Sequence, residues 1–314
     1  MRGKYMAFGL TIDSPLPLPE AFPVSQDTPA DVTIAIDTVV EDFVTDDGYV
    51  YARENRSWWH SMTRSRMLFN CKAGLFDIRN GCEITVQLYP DADMENAKIF
   101  LLGSAMGALQ IQRGYIPLHG GAVVTQNGAM IITGGQSAGK STMTSAFVHN
   151  RYRYITDDVS SIFIENGQAY ITPAYPQRKL VRNACAPLGY DPQDLILVDR
   201  ERDKLAVRDR GNWYSEPANL SIIIELHPET PENSVSVEQV TGHPRLDCVI
   251  RNLYRKWMHI PGGDMAPTDF KKILTIAAQT DIYRVYVPRD LARIALIARD
   301  IADALEKYKP GVRI

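Results

Sequence analysis

Cysteine is scarce and scattered: Cys71, Cys82, Cys185 and Cys248 form no C-x-x-C pair and stand beside no paired histidines. That spacing excludes a zinc site of the usual kind and a disulfide framework. Neither sign of charge is in excess, since 34 basic against 37 acidic residues leave a formal charge of −3. No global field therefore draws the chain to nucleic acid or lipid. Long apolar runs are missing too. "LSIIIEL" at 220–226 is of strand length and far short of a bilayer span. The first twenty residues, "MRGKYMAFGLTIDSPLPLPE", hold no apolar core of signal-peptide length and no small-residue cleavage site. Together these absences predict a cytoplasmic protein with reduced thiols and with neither membrane nor nucleic acid as partner. There is no internal repeat, no low-complexity tract and no basic stripe of the kind a DNA-dependent motor carries. At 314 residues, 45% hydrophobic and 23% charged, the chain has material for one large globular domain or two ordinary ones.

Up to about residue 90 the pattern is mostly strand. "DVTIAI" and "EITVQLY" are rich in β-branched residues, and Asn80-Gly81 sits between apolar runs like a hairpin turn. "DSPLPLPEAFP" is excluded from any helix interior by its prolines. From Met94 to Arg113 the period changes, with Ile99, Leu102, Met106, Leu109 and Ile111 recurring as on a helix that Gly114 ends. "GAVVTQNGAMIITGG" predicts a hairpin, "YRYIT" a further strand, and "SSIFIENGQAYITP" a second hairpin around Asn166-Gly167. Two helices, about 267–279 and 289–307, flank the strand "IYRVYVP". The second keeps Leu291, Ile294, Ala295, Ala298, Ile301 and Leu305 on one face, which suits a core. "VDRERDKLAVRDR", at 198–210, interleaves bases and acids. It reads as an exposed, self-neutralising loop or helix, or else as a mobile flap over a peptide.

The chemistry concentrates in "ITGGQSAGKST". Residues Gly134 to Ser141 fit G-x-x-x-x-G-K-[ST], a loop whose amides cradle phosphates. The segment leaves an apolar strand and enters a helix, as that pattern requires. Gly134, Gly135, Gln136, Ser137, Ala138 and Gly139 would turn N–H groups toward one anion, and Lys140, Ser141 and Thr142 would open the helix. Lys140 would reach phosphate oxygens and the Ser141 hydroxyl would ligate Mg2+. These residues predict a nucleotide.

Asp157-Asp158 follow the next strand. A helix of about ten residues carries the chain about 15 Å away from the loop, and a strand of four or five residues returns it. The returning strand is therefore expected to run parallel to the loop strand, with its carboxyl end beside the phosphates. One carboxylate can then ligate metal while the other accepts a proton, unless both merely cap a turn. His119, in "PLHGGAVV", is either a structural histidine or, folded back by the hairpin, a neighbour of the acceptor.

Taken together, "LHGGAVV", "ITGGQSAGKST" and "YRYITDDVSSIF" resemble the HPr kinase/phosphorylase family, closely over about residues 115–180 and loosely elsewhere. The resemblance implies an ATP- and Mg2+-dependent serine kinase. It implies Asp157 as the base, Ser141 and Asp158 near the metal, and His119 beside the aspartates. It also implies a mixed α/β, or α+β, P-loop core like that of phosphoenolpyruvate carboxykinase (115–314), behind a β-rich N-terminal domain (1–114). A homo-oligomer is a further implication. The chain departs from the family at "AYPQRKLVRNACAPLGY", where an acid-bearing segment is expected and Arg178, Lys179 and Arg182 stand instead. That departure counts against HPr as substrate and against a phosphorylase reaction. "YMAFGLTIDSPLPLPE" is similar to the HPr-kinase-like enzymes of lasso peptide biosynthesis, which implies the C-terminal serine of a precursor peptide as acceptor. Arg178, Lys179 or Arg182 would then hold the terminal carboxylate, or be surface cations. A small-molecule kinase and a non-catalytic ATP-binding regulator remain as alternatives.

Overall fold

A computed structural model describes residues 2–40, 49–53, 58–228, 234–260 and 265–312. Two compact units result. The first comprises Met1–Pro117 with Arg255–Lys271, and the second Leu118–Tyr254 with Lys272–Ile314. Among the described residues no helix is long and apolar enough to cross a membrane.

The first unit is built on a nine-stranded sheet. Its strands are β1 (Gly3–Ala7), β2 (Leu10–Ser14), β3 (Phe22–Pro23), β4 (Val32–Ile36), β5 (Tyr49–Arg53), β6 (Trp58–Met62), β7 (Arg66–Cys71), β8 (Gly74–Arg79) and β9 (Glu83–Leu88). They lie in the order β3-β1-β2-β4-β9-β8-β7-β6-β5. Between β8 and β9, Asn80 and Gly81 take left-handed φ angles of 53° and 68°. These are angles that an Asn-Gly pair adopts at little cost. The helix expected over Met94–Arg113 forms in two pieces, α1 (Met94–Phe100) and α2 (Met106–Gln112), joined by a π-helical turn over Leu101–Ala105. The Asp93 carboxylate caps α1 by accepting from the Glu95 amide at 2.9 Å. Every residue of the π turn is buried, so packing rather than solvent fixes it.

The second unit carries the glycine-rich loop. Its strands are β10 (Ile116–Thr125), β11 (Gly128–Gly134), β12 (Tyr154–Thr156), β13 (Val159–Glu165), β14 (Gln168–Ile171), β15 (Gln177–Val181), β16 (Ile196–Asp199), β17 (Lys204–Arg208), β18 (Ala218–His227), β19 (Ser236–Val240) and β20 (Asp281–Tyr286). The eight-stranded sheet runs β11-β10-β13-β14-β18-β20-β19, with β12 on β10. Because β11 also pairs with β18, five strands close into a ring. The hairpin of β13 and β14 turns through Asn166 and Gly167, at φ 50° and 78°, as its Asn-Gly signature predicts. This is a mixed α/β fold with extensive sheets, not a doubly wound parallel one.

Helices α3 (Lys140–His149) and α7 (Ile294–Glu306) cover one face of this sheet. Met143, Phe147, Ile297, Ile301 and Leu305 join Ile132, Ile224 and Tyr283 in one core. The face expected on α7 is buried at Ile294, Ala298, Ile301 and Leu305. α3 comes close to β10 because Gly121 has no side chain: a Cβ there would stand 2.2 Å from Thr144 Oγ1. The shorter helices are α4 (Arg182–Cys185) and α5 (Pro244–Arg251), and α6 (Pro267–Gln279) completes the set.

The charge-rich segment 198–210 turns at residues 200–203 and is strand on either side of that turn. It supplies β17, which pairs with β15 and β16 in a three-stranded sheet. Leu205 and Val207 enter the core from it. Three apolar residues suffice to set a short strand once a partner is at hand, and the flanking charges stay at its ends.

Candidate active site

The loop is shaped by backbone geometry before any side chain contributes. Gly134 holds φ 143°, and a Cβ there would lie 2.7 Å from the Leu226 carbonyl oxygen. Only glycine ends β11 in this way. Ser137 and Gly139 are also left-handed, at φ 62° and 88°. Gly139 is the N-cap of α3, and no side chain bonds the first amides of that helix. Unsatisfied N–H groups at a helix start, with its partial positive charge, favour an anion. Gly135, Gln136, Ser137 and Gly139 are exposed, whereas Ala138 and Thr142 turn into the protein, so only their main-chain groups can serve the loop. Lys140 Nζ donates to the carbonyls of Gly134 and Gly135 at 3.0 and 2.8 Å. Burial pushes its ammonium below the ordinary lysine range, and the charge of Asp158 offsets part of that. Ser141 follows directly and is half-buried.

The aspartates arrive by way of β10. That strand is antiparallel to β11 on one side and to β12 on the other. β12 therefore runs in the direction of the loop strand, as expected, but with β10 between them rather than as a direct neighbour. The Gly120 amide donates to the Asp158 carbonyl at 3.0 Å, and Gly120 stands opposite Thr133, the residue before the loop. Two strand spacings, about 10 Å, thus separate the backbone of Asp158 from the start of the loop.

The two carboxylates have unlike surroundings. Asp157 is buried, with Oδ2 accepting from the Lys179 amide at 2.8 Å and Oδ1 lacking a hydrogen-bond partner. Burial raises its pKa against the pull of that amide and the Lys179 charge. Asp158 keeps some exposure, and its Oδ2 lies 2.8 Å from Lys179 Nζ and its Oδ1 3.5 Å from His119 Nδ1. Burial alone would raise Asp158, but Lys179 and His119 outweigh it and hold the group well below the usual carboxylate range. The same pairing raises Lys179 above its ordinary value despite its burial. His119 is fixed from behind. Its amide donates to the Asn252 carbonyl at 2.9 Å, and its own carbonyl accepts from Thr133 Oγ1 at 2.8 Å.

The three cations expected to grip an acceptor carboxylate each already have partners. Arg178 is wholly buried and bonds the Tyr190 hydroxyl at 2.8 Å and Asp209 Oδ2 at 3.0 Å, with its guanidinium 5.0 Å over the Tyr154 ring. Lys179 serves the aspartates. Arg182 is exposed and paired with Asp203 at 2.9 Å. Alternation along β15 explains the division: Arg178 shares the inward face with Leu180, and Lys179 takes the other.

Sequence reading passed over a second set. Glu225, buried near the end of β18, accepts from Arg251 Nε and Nη2 at 2.9 Å each and from Asn252 Nδ2 at 2.8 Å. His227 Nε2 stands 3.2 Å from it. The available signal was an acid closing the otherwise apolar run "LSIIIE". Among the described residues no group of three or more His, Cys, Asp or Glu side chains is arranged to hold a metal by itself.

Comparisons with protein-family models and with curated proteins found no match. Among solved structures the chain is similar to the HPr(Ser) kinase/phosphatase from Coxiella burnetii, at 13% identity and a TM-score of 0.31. The match covers 62% of this chain and 98% of that one. A likeness of that size carries no argument about chemistry, which rests on the residues themselves.

Proposed function

We propose that this chain is an ATP- and Mg2+-dependent kinase of HPr-kinase-like type that phosphorylates the hydroxyl of a serine in a peptide. The observation that carries this reading is the pair of carboxylates at the carboxyl edge of β12, two strands from an uncapped helix start behind a glycine-rich loop. A protein that only binds nucleotide can use one acid to ligate the metal but gains nothing from a second that accepts a proton.

In this mechanism the amides of the loop and of the first turn of α3 hold the β- and γ-phosphates, and Lys140 leaves its loop carbonyls for phosphate oxygens. Mg2+, when bound, neutralises phosphate charge. The ionised Asp158 and the Ser141 hydroxyl are hard oxygen donors of the kind it takes, and one or two such groups plus phosphate oxygens are a usual set. The acceptor oxygen attacks the γ-phosphorus, the bond from that phosphorus to the bridging oxygen of ADP breaks, and the hydroxyl proton passes to Asp157. Oδ1 of Asp157 is the atom with no other bond to make, and burial raises its pKa, which makes it a stronger base than an ordinary carboxylate. Lys179 holds the other oxygen in place.

The test is transfer from γ-labelled ATP to a panel of serine peptides and small hydroxyl metabolites, with wild type and Asp157→Asn. Label in a peptide, reduced about 10²- to 10⁴-fold in the variant at nearly unchanged ATP affinity, is expected. ATP bound tightly with no label in any acceptor would overturn the assignment as a kinase, and near-normal turnover in the variant would overturn the role of Asp157.

A further inference from the structure

Strands β11, β18 and β20 run parallel, and their registers align Thr133, Glu225 and Arg284 in one row. Alternation puts this row on the face opposite α3 and α7, whose core takes Ile132, Ile224 and Tyr283. Arg284 Nε lies 3.9 Å from Glu225 Oε2, so two guanidinium groups face one carboxylate. Glu225 is 3% exposed, whereas the side chains of Arg251 and Arg284 are 50% and 31% exposed. Burial pushes the Glu225 carboxyl up, but hydrogen bonds from Arg251, Asn252 and His227 outweigh it and lower its pKa.

One arginine would satisfy Glu225, and the second cation is surplus to that pair. Among the described residues Arg251 spends only Nε and Nη2 on the carboxylate, and the guanidinium of Arg284 makes no hydrogen bond within 3.5 Å. The nearby acids are otherwise engaged. Glu238, opposite Arg284 on β19, accepts from the Tyr286 hydroxyl at 3.4 Å, and Asp247 stands 3.3 Å from His243. The position is telling as well. Leu226 is level with Gly134, so the cluster flanks the glycine-rich loop at one strand spacing, about 5 Å. Asn252 ties the cluster to the transfer site, since its side chain donates to Glu225 and its carbonyl accepts from the His119 amide.

We propose that Arg251 and Arg284, oriented by the buried Glu225, form a second oxyanion-binding subsite that takes a phosphate or carboxylate group. This deepens the kinase assignment and rests on it only in treating the glycine-rich loop as the first such site. Planar guanidinium groups fixed by a buried acid lose little freedom on binding a second oxyanion. The oxyanion comes from the acceptor or from the nucleotide.

Titration of the full chain with inorganic phosphate by calorimetry separates the possibilities. Lys140→Ala weakens the loop and should leave one phosphate bound. Adding Arg284→Gln, or Arg251→Gln with Arg284→Gln, should weaken that phosphate at least tenfold. Arg284 makes a single long contact, so its replacement spares the fold even if that of Arg251 does not. Saturating Mg–AMP-PNP then assigns the source. Phosphate retained beside it marks a subsite for the acceptor, and phosphate displaced, with AMP-PNP affinity reduced in Arg284→Gln, marks one for the nucleotide. Phosphate binding unchanged by both substitutions, or abolished by Lys140→Ala alone, would overturn the subsite. A chain that bound phosphate here but transferred none to any acceptor would refute the kinase and keep the subsite.

Discussion

The Lys179 ammonium lies 2.8 Å from Oδ2 of Asp158, while the amide of the same residue lies 2.8 Å from Oδ2 of Asp157. A single position in β15 thereby serves two adjacent acids, one through its side chain and one through its backbone. The two contacts are separable by mutation.

Lys179→Met keeps the amide and removes the charge. Asp158, whose pKa is depressed in the fold, contributes stability that is complete above the ordinary carboxylate value of about 4 and is lost as the pH falls through its lowered one. The variant should be less stable than wild type by about 2 kcal/mol at pH 7, a pair of this burial falling between surface and core cases. The gap should narrow below pH 4. Urea unfolding at pH 7 and pH 3 measures it, and an equal gap at both would show that lost packing rather than charge is responsible.

Arg178→Met tests the assignment of that residue to the fold. It leaves Asp209 without the cation that faces it at 3.0 Å and removes the stack on Tyr154. Breaking such a buried pair costs roughly 3 kcal/mol. The urea midpoint should fall while the folded fraction keeps its KM for acceptor. A raised KM at unchanged stability would instead restore Arg178 as a carboxylate clamp.

His259, buried in the first unit, has its pKa lowered to about 4 by burial and then by the charge of Arg64. Neither ring nitrogen has a hydrogen-bond partner. The unfolded chain takes up a proton below about 6.5 while the fold does not, so stability should decline as the pH falls from there to 4, by at most about 3 kcal/mol. Denaturant midpoints across that range should flatten in His259→Leu relative to wild type. A parallel slope in both proteins would place the titration elsewhere.

What the sequence disclosed follows from range. The loop, the Asn166-Gly167 turn and the helical period of 94–113 are local patterns, and each formed where its residues implied. The surroundings of Arg178 and Lys179 depend on β15 being a strand: neighbours on a strand face opposite ways, while a run of charges in a loop shares one fate. The strand in 204–208 depends likewise on a distant partner, 23 residues away where Lys204 pairs with Val181 and 31 where Arg208 pairs with Gln177. Glu225 meets Arg284 only through the register of β18 with β20, and Arg251 only through the placement of α5. No spacing in the chain announces that, nor the return of Arg255–Lys271 to the first unit.

The intervening position of β10 has a last consequence. The glycine-rich loop and the paired acids hang from opposite edges of the same ribbon, which is hydrogen-bonded along both, so on the proposed kinase assignment the gap between donor and base is a property of sheet spacing and cannot be tuned residue by residue. Selection among acceptors must then act through whatever fills that fixed width, and a change of substrate would be written in the walls around the gap rather than in its span.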